Sequence, residues 1–341
     1  MKTLKTILKL IGALIIGSIA GLLLSSVGLV MFTDSSFSDV FSSFSNVELG
    51  EMLMAVLFGI VSLVVSVPLL IMVHEAGHLV CGLLSGYKFV SFRIFDFTIL
   101  RSEGRLRVKR FAVAGTGGQC LLSPPDKALQ QIPTALYNMG GVLANVLALL
   151  AAIPFFYCDS SAYVTEFLGI FVLTDVIMIL VNGVPMCING IGNDAWNMRM
   201  LRRNMLSKRG LLIQLRSNAL IQSGIRPKDM PDEWFEISGA IDYRNAFEAA
   251  IPLMQASRML DMERCDEARQ LLDDAALERY ISFSRRFMSS KERLQCAREL
   301  YLNNDRAEAD AIYQRLAESR GCYLLQGEVS SDLALMRGIL D

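Results

Sequence analysis

The apolar segment from residue 52 to residue 84 constrains the fold of this chain more than any other feature. As a straight helix it would measure about 50 Å, whereas the apolar core of a bilayer is about 30 Å thick. Apart from one cysteine, its ionisable side chains are His74, Glu75 and His78. Such groups persist in a bilayer when they pair, coordinate a ligand or line a wet cavity. The segment therefore predicts a long membrane helix, with a kink at Pro68, that carries a polar site.

His74 and His78 are the only histidines of the chain, and they flank Glu75 in the pattern His-Glu-x-x-His. On a helix this spacing puts both imidazoles on one face, where their neutral nitrogens can bind zinc, while the glutamate can take a proton from water. The pattern predicts zinc as the cofactor, and iron or cobalt would suit the same ligands.

Composition divides the chain into two parts. The mean hydropathy is +0.40, yet 41 of the 67 charged residues lie in residues 207–341. We therefore predict a transmembrane domain over residues 1–206 and a soluble helical domain over residues 207–341. The net charge of −1 gives no reason to expect nucleic acid as a partner.

Four apolar segments are long enough to cross a membrane, at about residues 7–32, 52–84, 135–157 and 164–185. The loop over residues 33–51 has no Lys or Arg, whereas residues 85–134 carry eight. Because Lys and Arg mark cytoplasmic loops, both termini should be cytoplasmic and the histidine motif should lie toward the cytoplasmic face. We expect an integral, multi-pass protein of a bacterial cytoplasmic membrane.

The fold class predicted is mostly α, with four transmembrane helices, a small β-hairpin insertion at residues 87–113 and a helical C-terminal domain. Two interpretations of the hairpin stay open: it could hold an extended peptide by strand addition, or cap the helix bundle. The glycine-rich stretch after it, with residues 123–125, is predicted to be a loop. In the C-terminal part a weak 41-residue period fits either a tetratricopeptide-like array or a plain helical bundle, and either could contact a protein partner.

Three motifs together resemble the site-2 protease family of intramembrane zinc metalloproteases. Besides the histidine motif, residues 141–145 (Gly-Val-Leu-Ala-Asn) are similar to that family's Gly-Pro-x-x-Asn, with Val142 in place of proline. Residues 182–185 (Asn-Gly-Val-Pro) are similar to the Asn-x-x-Pro that precedes the family's metal-binding Asp-Gly. The resemblance covers roughly residues 52–200 and departs at one point, because Gly190 stands where the family has its aspartate.

The resemblance implies a third metal ligand, and the next aspartate is Asp194, which an irregular turn could bring into place. Asp175, deep in the fourth apolar segment, is the rival ligand, or else a protonated or hydrogen-bonded group of the bundle. Asn145 is either an interhelical hydrogen-bonding residue or, as the resemblance favours, a catalytic amide that holds the substrate carbonyl. For Asn182 the expected partner is nearby backbone freed by Pro185.

The function implied is that of an intramembrane zinc endopeptidase that cleaves a membrane-spanning or membrane-associated peptide near the cytoplasmic face. The alternative is a catalytically inactive membrane scaffold or receptor, with a vestigial metal site and a helical tail that binds a partner. A metal-dependent transporter is a third class, although the chain shows no inverted repeat. The intact Glu75 favours the enzyme, because a purely structural metal site has no use for that carboxylate.

Overall fold

The computed structural model describes residues 48–102, 105–110, 117–158, 161–188, 191–237, 239–272, 293–298, 300 and 305–318, together with Ser36 and Ser38. These residues are mostly helical and include a small antiparallel sheet, as the sequence predicts. The first predicted membrane segment, at residues 7–32, lies outside the described residues.

Within the described residues, three helical segments are long and apolar enough to cross a membrane. The first is α1, Leu49–Leu84, which continues through Pro68. The second is α2, Ala135–Ala152, which has short 3-10 turns before and after it. The third is α3, Ala162–Gly183. They coincide with the second, third and fourth predicted segments to within a few residues.

The chain divides into two compact units. One contains the described residues up to 67 together with those of 152–174, and in it the rings of Phe58 and Tyr163 pack with centroids 5.0 Å apart. The other contains the described residues of 68–151 and those from 175 onward, and every candidate site residue belongs to it. The predicted domain boundary at residue 206 falls inside this second unit.

The insertion contains the predicted antiparallel hairpin, Phe97–Ser102 paired with Arg105–Arg110, but it belongs to a four-stranded sheet. The prediction of a loop after the hairpin is wrong for Gly118–Ser123, which is a strand. The strands of the sheet are β1 (Lys88–Ile94), β2 (Phe97–Ser102), β3 (Arg105–Arg110) and β4 (Gly118–Ser123), in the antiparallel order β3-β2-β1-β4. A turn at Phe95, whose φ is 52°, separates β1 from β2. The β4 segment was missed because it does not alternate and because its partner, β1, lies far back in the chain.

In the part of the chain that the structure describes, the α-helices after α3 are α4 (Asp194–Arg203), α5 (Met205–Gln222), α6 (Ala246–Asp261), α7 (Cys265–Leu272) and α8 (Arg306–Glu318). Leu212 of α5 packs with Cys120 and Leu122 of β4 in one apolar cluster, which fixes α5 to the sheet. Buried Glu248 of α6 accepts hydrogen bonds from Asn204 and Ser207, and so ties α6 to the start of α5.

The alanines of the 41-residue period occupy the C-terminal core. All four are completely buried: Ala256, Ala268, Ala297 and Ala309. Small residues at such positions allow helices to approach closely, as they would in a helical repeat or in a plain bundle.

Candidate metal centre

Three side chains bring one ligand atom each to a common point. Nε2 of His74 and Nε2 of His78 lie 3.2 Å apart. Oδ2 of Asp194 lies 3.1 Å from the first and 3.3 Å from the second. Among the described residues, this is the group of His, Cys, Asp or Glu side chains whose atoms could share a metal ion. The structure thus brings together the three residues that the sequence suggests as ligands.

The spacing of these atoms fits a tetrahedral ion. For zinc bonds of about 2.0–2.1 Å, neighbouring ligand atoms of a tetrahedron lie about 3.3–3.4 Å apart. The observed separations of 3.1–3.3 Å are close to that value. Asp194 Oδ2 is also buried and makes no hydrogen bond within the described part of the chain. A carboxylate oxygen facing two imidazole nitrogens in this way is stabilised by a shared cation.

Glycines at the crossing of α1 and α2 make this approach possible. A Cβ atom at Gly140 would lie 2.5 Å from the carbonyl oxygen of Gly77, so a larger residue would force the helices apart. One residue further along α2, a Cβ at Gly141 would lie 2.5 Å from His74 Nε2 and 2.6 Å from His78 Nε2. Small residues at helix crossings allow close packing in membranes, and here they let the α2 backbone lie directly against the imidazoles.

Asn193 places Asp194 at the first turn of α4. Its side chain accepts hydrogen bonds from the backbone of Met186 and Trp196, and donates to the carbonyls of Val181 and Val184. It therefore joins the end of α3 to the start of α4 across a two-stranded turn, Cys187–Ile188 paired with Ile191–Gly192.

The electrostatic surroundings of Asp194 favour its charged form. Burial disfavours the carboxylate, but the two facing imidazoles more than offset that cost and hold the pKa of Asp194 below its ordinary value. Asp194 is thus available as an anionic ligand at neutral pH.

Glu75 lies beside the three ligand atoms without being one of them. It is buried and interacts electrostatically with both histidines and with Asp194. Its side chain packs against β4, where a Cβ at Gly118 would lie 2.6 Å from Glu75 Cγ and 2.7 Å from Oε1. Glu75 is thus a second carboxylate that interacts with the three ligand residues and is held by packing against β4.

Arg93 supports the backbone against which Glu75 packs. Its side chain is only 1% exposed, and its guanidinium donates to the carbonyls of Phe95 and Gly118. Sequence reasoning did not single out Arg93. A basic residue directly between two apolar residues, Phe92 and Ile94, was the signal that could have indicated it.

Both imidazoles are oriented through Nδ1. His78 Nδ1 lies 2.8 Å from the backbone carbonyl of Tyr137, and His74 Nδ1 lies 2.8 Å from Oδ1 of Asn145. The amide of Asn145 in turn donates to Asp175 at 2.6 Å. Metal-binding histidines are commonly held in this way by a carbonyl or carboxylate behind the ring.

This geometry separates Asp194 from Asp175 and gives the partners of Asn145. Asn145 is completely buried and both ends of its amide make hydrogen bonds to neighbouring helices, as the interhelical interpretation expects, whereas the contact with a substrate carbonyl stays a prediction. Asp175 contacts Asn145 and is not among the three converging atoms. Asn182 does bond backbone, at Met178, but the carbonyl of Val181 freed by Pro185 is taken by Asn193.

Comparison with protein-family models, with curated proteins and with solved structures finds no match to this chain.

Proposed function

We propose that this chain is an intramembrane zinc endopeptidase of the site-2 protease type, which cleaves a membrane-spanning or membrane-associated peptide. The observation that carries the proposal is the convergence of His74, His78 and Asp194 at 3.1–3.3 Å beside a fourth, non-ligating group, Glu75. Two imidazoles and one carboxylate are a ligand set of catalytic zinc sites, which leave a fourth position open. The position on a helix long and apolar enough to cross a membrane supports a membrane-embedded substrate.

The residues of the chain divide the work of peptide hydrolysis between them. His74, His78 and Asp194 would hold the zinc ion, which when bound lowers the pKa of water to about 7 and polarises the substrate carbonyl. Glu75 accepts the proton of the attacking water and later delivers it to the leaving amine. The Gly118 backbone and the helix of Glu75 keep that carboxylate in place.

The orientation in the membrane is part of the proposal. The excess of Lys and Arg in residues 85–134 supports a cytoplasmic position for the sheet and for the C-terminal helices. The histidine motif precedes the sheet by about ten residues, which supports cleavage near the cytoplasmic face. Because helical amides are closed to attack, substrates should carry small or helix-breaking residues near the cut.

Glu75→Gln is the deciding variant, since glutamine is nearly isosteric and cannot accept the proton. We expect the purified variant to keep the zinc content of the wild type and to lose cleavage. In cells that carry Glu75→Gln, quantitative comparison of membrane proteomes with the wild type should reveal one or more single-span proteins that accumulate uncut. The candidates should then be cleaved by the wild type in liposomes, and cleavage should stop when a chelator removes the metal and resume when zinc is restored.

The scaffold alternative makes the opposite prediction for the same variant. If the metal site is vestigial, Glu75→Gln changes neither the proteome nor any phenotype, while truncation of the C-terminal helices does. Zinc content alone does not separate the two functions.

A further inference from the structure

Three polar side chains from three different helices form a chain of hydrogen bonds behind the candidate metal site. His74 of α1 contacts Asn145 of α2 at 2.8 Å, and Asn145 donates to Asp175 of α3 at 2.6 Å. Asn145 and Asp175 are completely buried, and His74 is 7% exposed. The metal site explains His74, but it does not by itself explain why a carboxylate is buried two contacts away.

The direction of each hydrogen bond in this series follows from the group at its end, Asp175. In its ionised form Asp175 only accepts hydrogen bonds, so its carboxylate faces the NH₂ group of Asn145, as the structure has it. The amide oxygen of Asn145 then faces His74, and because that oxygen only accepts, His74 Nδ1 must carry the proton. A neutral imidazole protonated at Nδ1 has its lone pair at Nε2, the nitrogen that faces His78 and Asp194.

We propose that Asp175 is a positioning residue which, through Asn145, fixes the tautomer of His74 that presents a lone pair to the metal. The inference rests on the proposed metal site and adds to it how that site is prepared. If Asn145 were turned over, its NH₂ group would face Nδ1, and the tautomer with a proton on Nε2 would be favoured. In that state His74 cannot bind a metal ion through Nε2.

His78 provides an internal comparison. Its Nδ1 faces the backbone carbonyl of Tyr137, which is an acceptor and cannot be turned over because it belongs to helix α2. The tautomer of His78 is therefore fixed without further support. His74 instead faces the side-chain amide of Asn145, whose oxygen and NH₂ ends have nearly the same shape. A group that only accepts hydrogen bonds, such as the carboxylate of Asp175, determines which of the two ends faces His74.

The burial of a carboxyl group at position 175 needs an explanation. It lies within α3, a helix long and apolar enough to span a membrane, where ionisable groups are costly and mark function. Within the described residues, its second oxygen, Oδ2, has no hydrogen-bond partner. An ordinary interhelical hydrogen bond would be made as well by a neutral amide, which is the contrast that the experiment uses.

The two histidines make the tautomer directly measurable. Full-length protein labelled with ¹⁵N-histidine, purified without a histidine tag and placed metal-free in liposomes, contains only two imidazoles. At a pH where both rings are neutral, solid-state NMR distinguishes protonated from unprotonated ring nitrogens. We expect both rings of the wild type to be protonated at Nδ1. In Asp175→Asn, His74 should populate the other tautomer while His78 is unchanged.

Zinc affinity, measured by competition with a chelator, is the second readout. Asp175→Asn should bind zinc on the order of 10–100-fold more weakly, the usual loss when a group behind a metal-binding histidine is removed. Glu166→Gln is the matched control, because it neutralises a carboxyl nine residues earlier on the same helix. It should leave both the tautomers and the zinc affinity unchanged.

A double variant, Asn145→Asp with Asp175→Asn, tests the logic by rescue. The carboxylate then lies next to His74 and accepts from Nδ1 directly, so the tautomer and the zinc affinity should return to those of the wild type. If Asp175→Asn does not accumulate in the membrane, the wild type and the double variant still test the proposal: a His74 ring that is not protonated at Nδ1 in either of them overturns it.

Wild-type tautomers and wild-type zinc affinity in Asp175→Asn would also overturn it, since a plain interhelical bond predicts that result. Failure of the proposed function looks different. A wild type that binds zinc and cleaves nothing, or that binds no metal, leaves the NMR comparison of the metal-free proteins intact.

Discussion

Replacing Gly141 by alanine adds one methyl group to the part of α2 that faces the imidazoles. Helix propensity alone predicts a gain of about 1 kcal/mol for α2, because alanine is the better helix former. The site predicts the opposite for metal binding. The new Cβ would lie 2.5 Å from His74 Nε2 and 2.6 Å from His78 Nε2, where ordinary contacts begin at 3.4 Å.

The size of the effect follows from that overlap. The imidazoles or the helix must recede by about 0.9 Å, whereas a metal site tolerates changes of only about 0.2 Å in its ligand distances. We therefore expect the affinity for zinc to fall on the order of 100-fold or more, which corresponds to about 2.7 kcal/mol of binding free energy. The folded protein should persist, since the change affects a site and not the apolar packing of α2.

The assay is competition for zinc between the purified protein in detergent and a chelator of known affinity. Gly169→Ala, on α3, is the matched control, because a Cβ there meets no atom within 4 Å. It should bind zinc as the wild type does. Wild-type zinc affinity in Gly141→Ala, with the protein folded, would refute the placement of α2 against the two histidines.

Two further predictions use pairs of residues within the chain. Gly118→Ala should push the Glu75 side chain away by about 0.8 Å and reduce cleavage on the order of 10–100-fold, with zinc retained. In the control variant, Gly117→Ala, the new methyl group meets only the end of an isoleucine side chain, and the protein should stay active. Equal activities of the two variants would contradict the position of Glu75. For the topology, single-cysteine proteins that keep only Cys158 or only Cys187, both exposed, should react differently with a membrane-impermeant maleimide. Cys158 should be labelled in intact cells and Cys187 only after permeabilisation, and the reverse pattern would show that the proposed orientation is inverted.

The residues of the site differ in how far the sequence could predict them. His74, Glu75 and His78 lie within one helical turn and a half, so their grouping follows from the periodicity of a helix and required no knowledge of the fold. Asp194 lies more than a hundred residues away, and its selection over Asp175 depended on a resemblance whose spacing was not met. Asp194 reaches the site because the hydrogen bonds of Asn193 hold the preceding turn together. No local sequence pattern predicts those hydrogen bonds.

Asn145 shows the limit of reasoning from residue type. A buried amide can serve a substrate or a neighbouring side chain equally well, and only its partners distinguish the two. The structure gives those partners as His74 and Asp175. The strand β4 was missed for a related reason, since its pairing with β1 is a contact between distant segments and leaves no alternation in the sequence.

By itself, the sequence determined the apolar helices and the pairing of two imidazoles with a glutamate, because both depend on residue type and on the repeat of a helix. The tertiary structure decided which carboxylate joins them, which strand packs against Glu75 and which residues contact Nδ1 of each imidazole. Those outcomes depend on how closely helices can approach at their glycines and on the direction of individual hydrogen bonds. Such properties arise only when segments far apart in the chain are packed together.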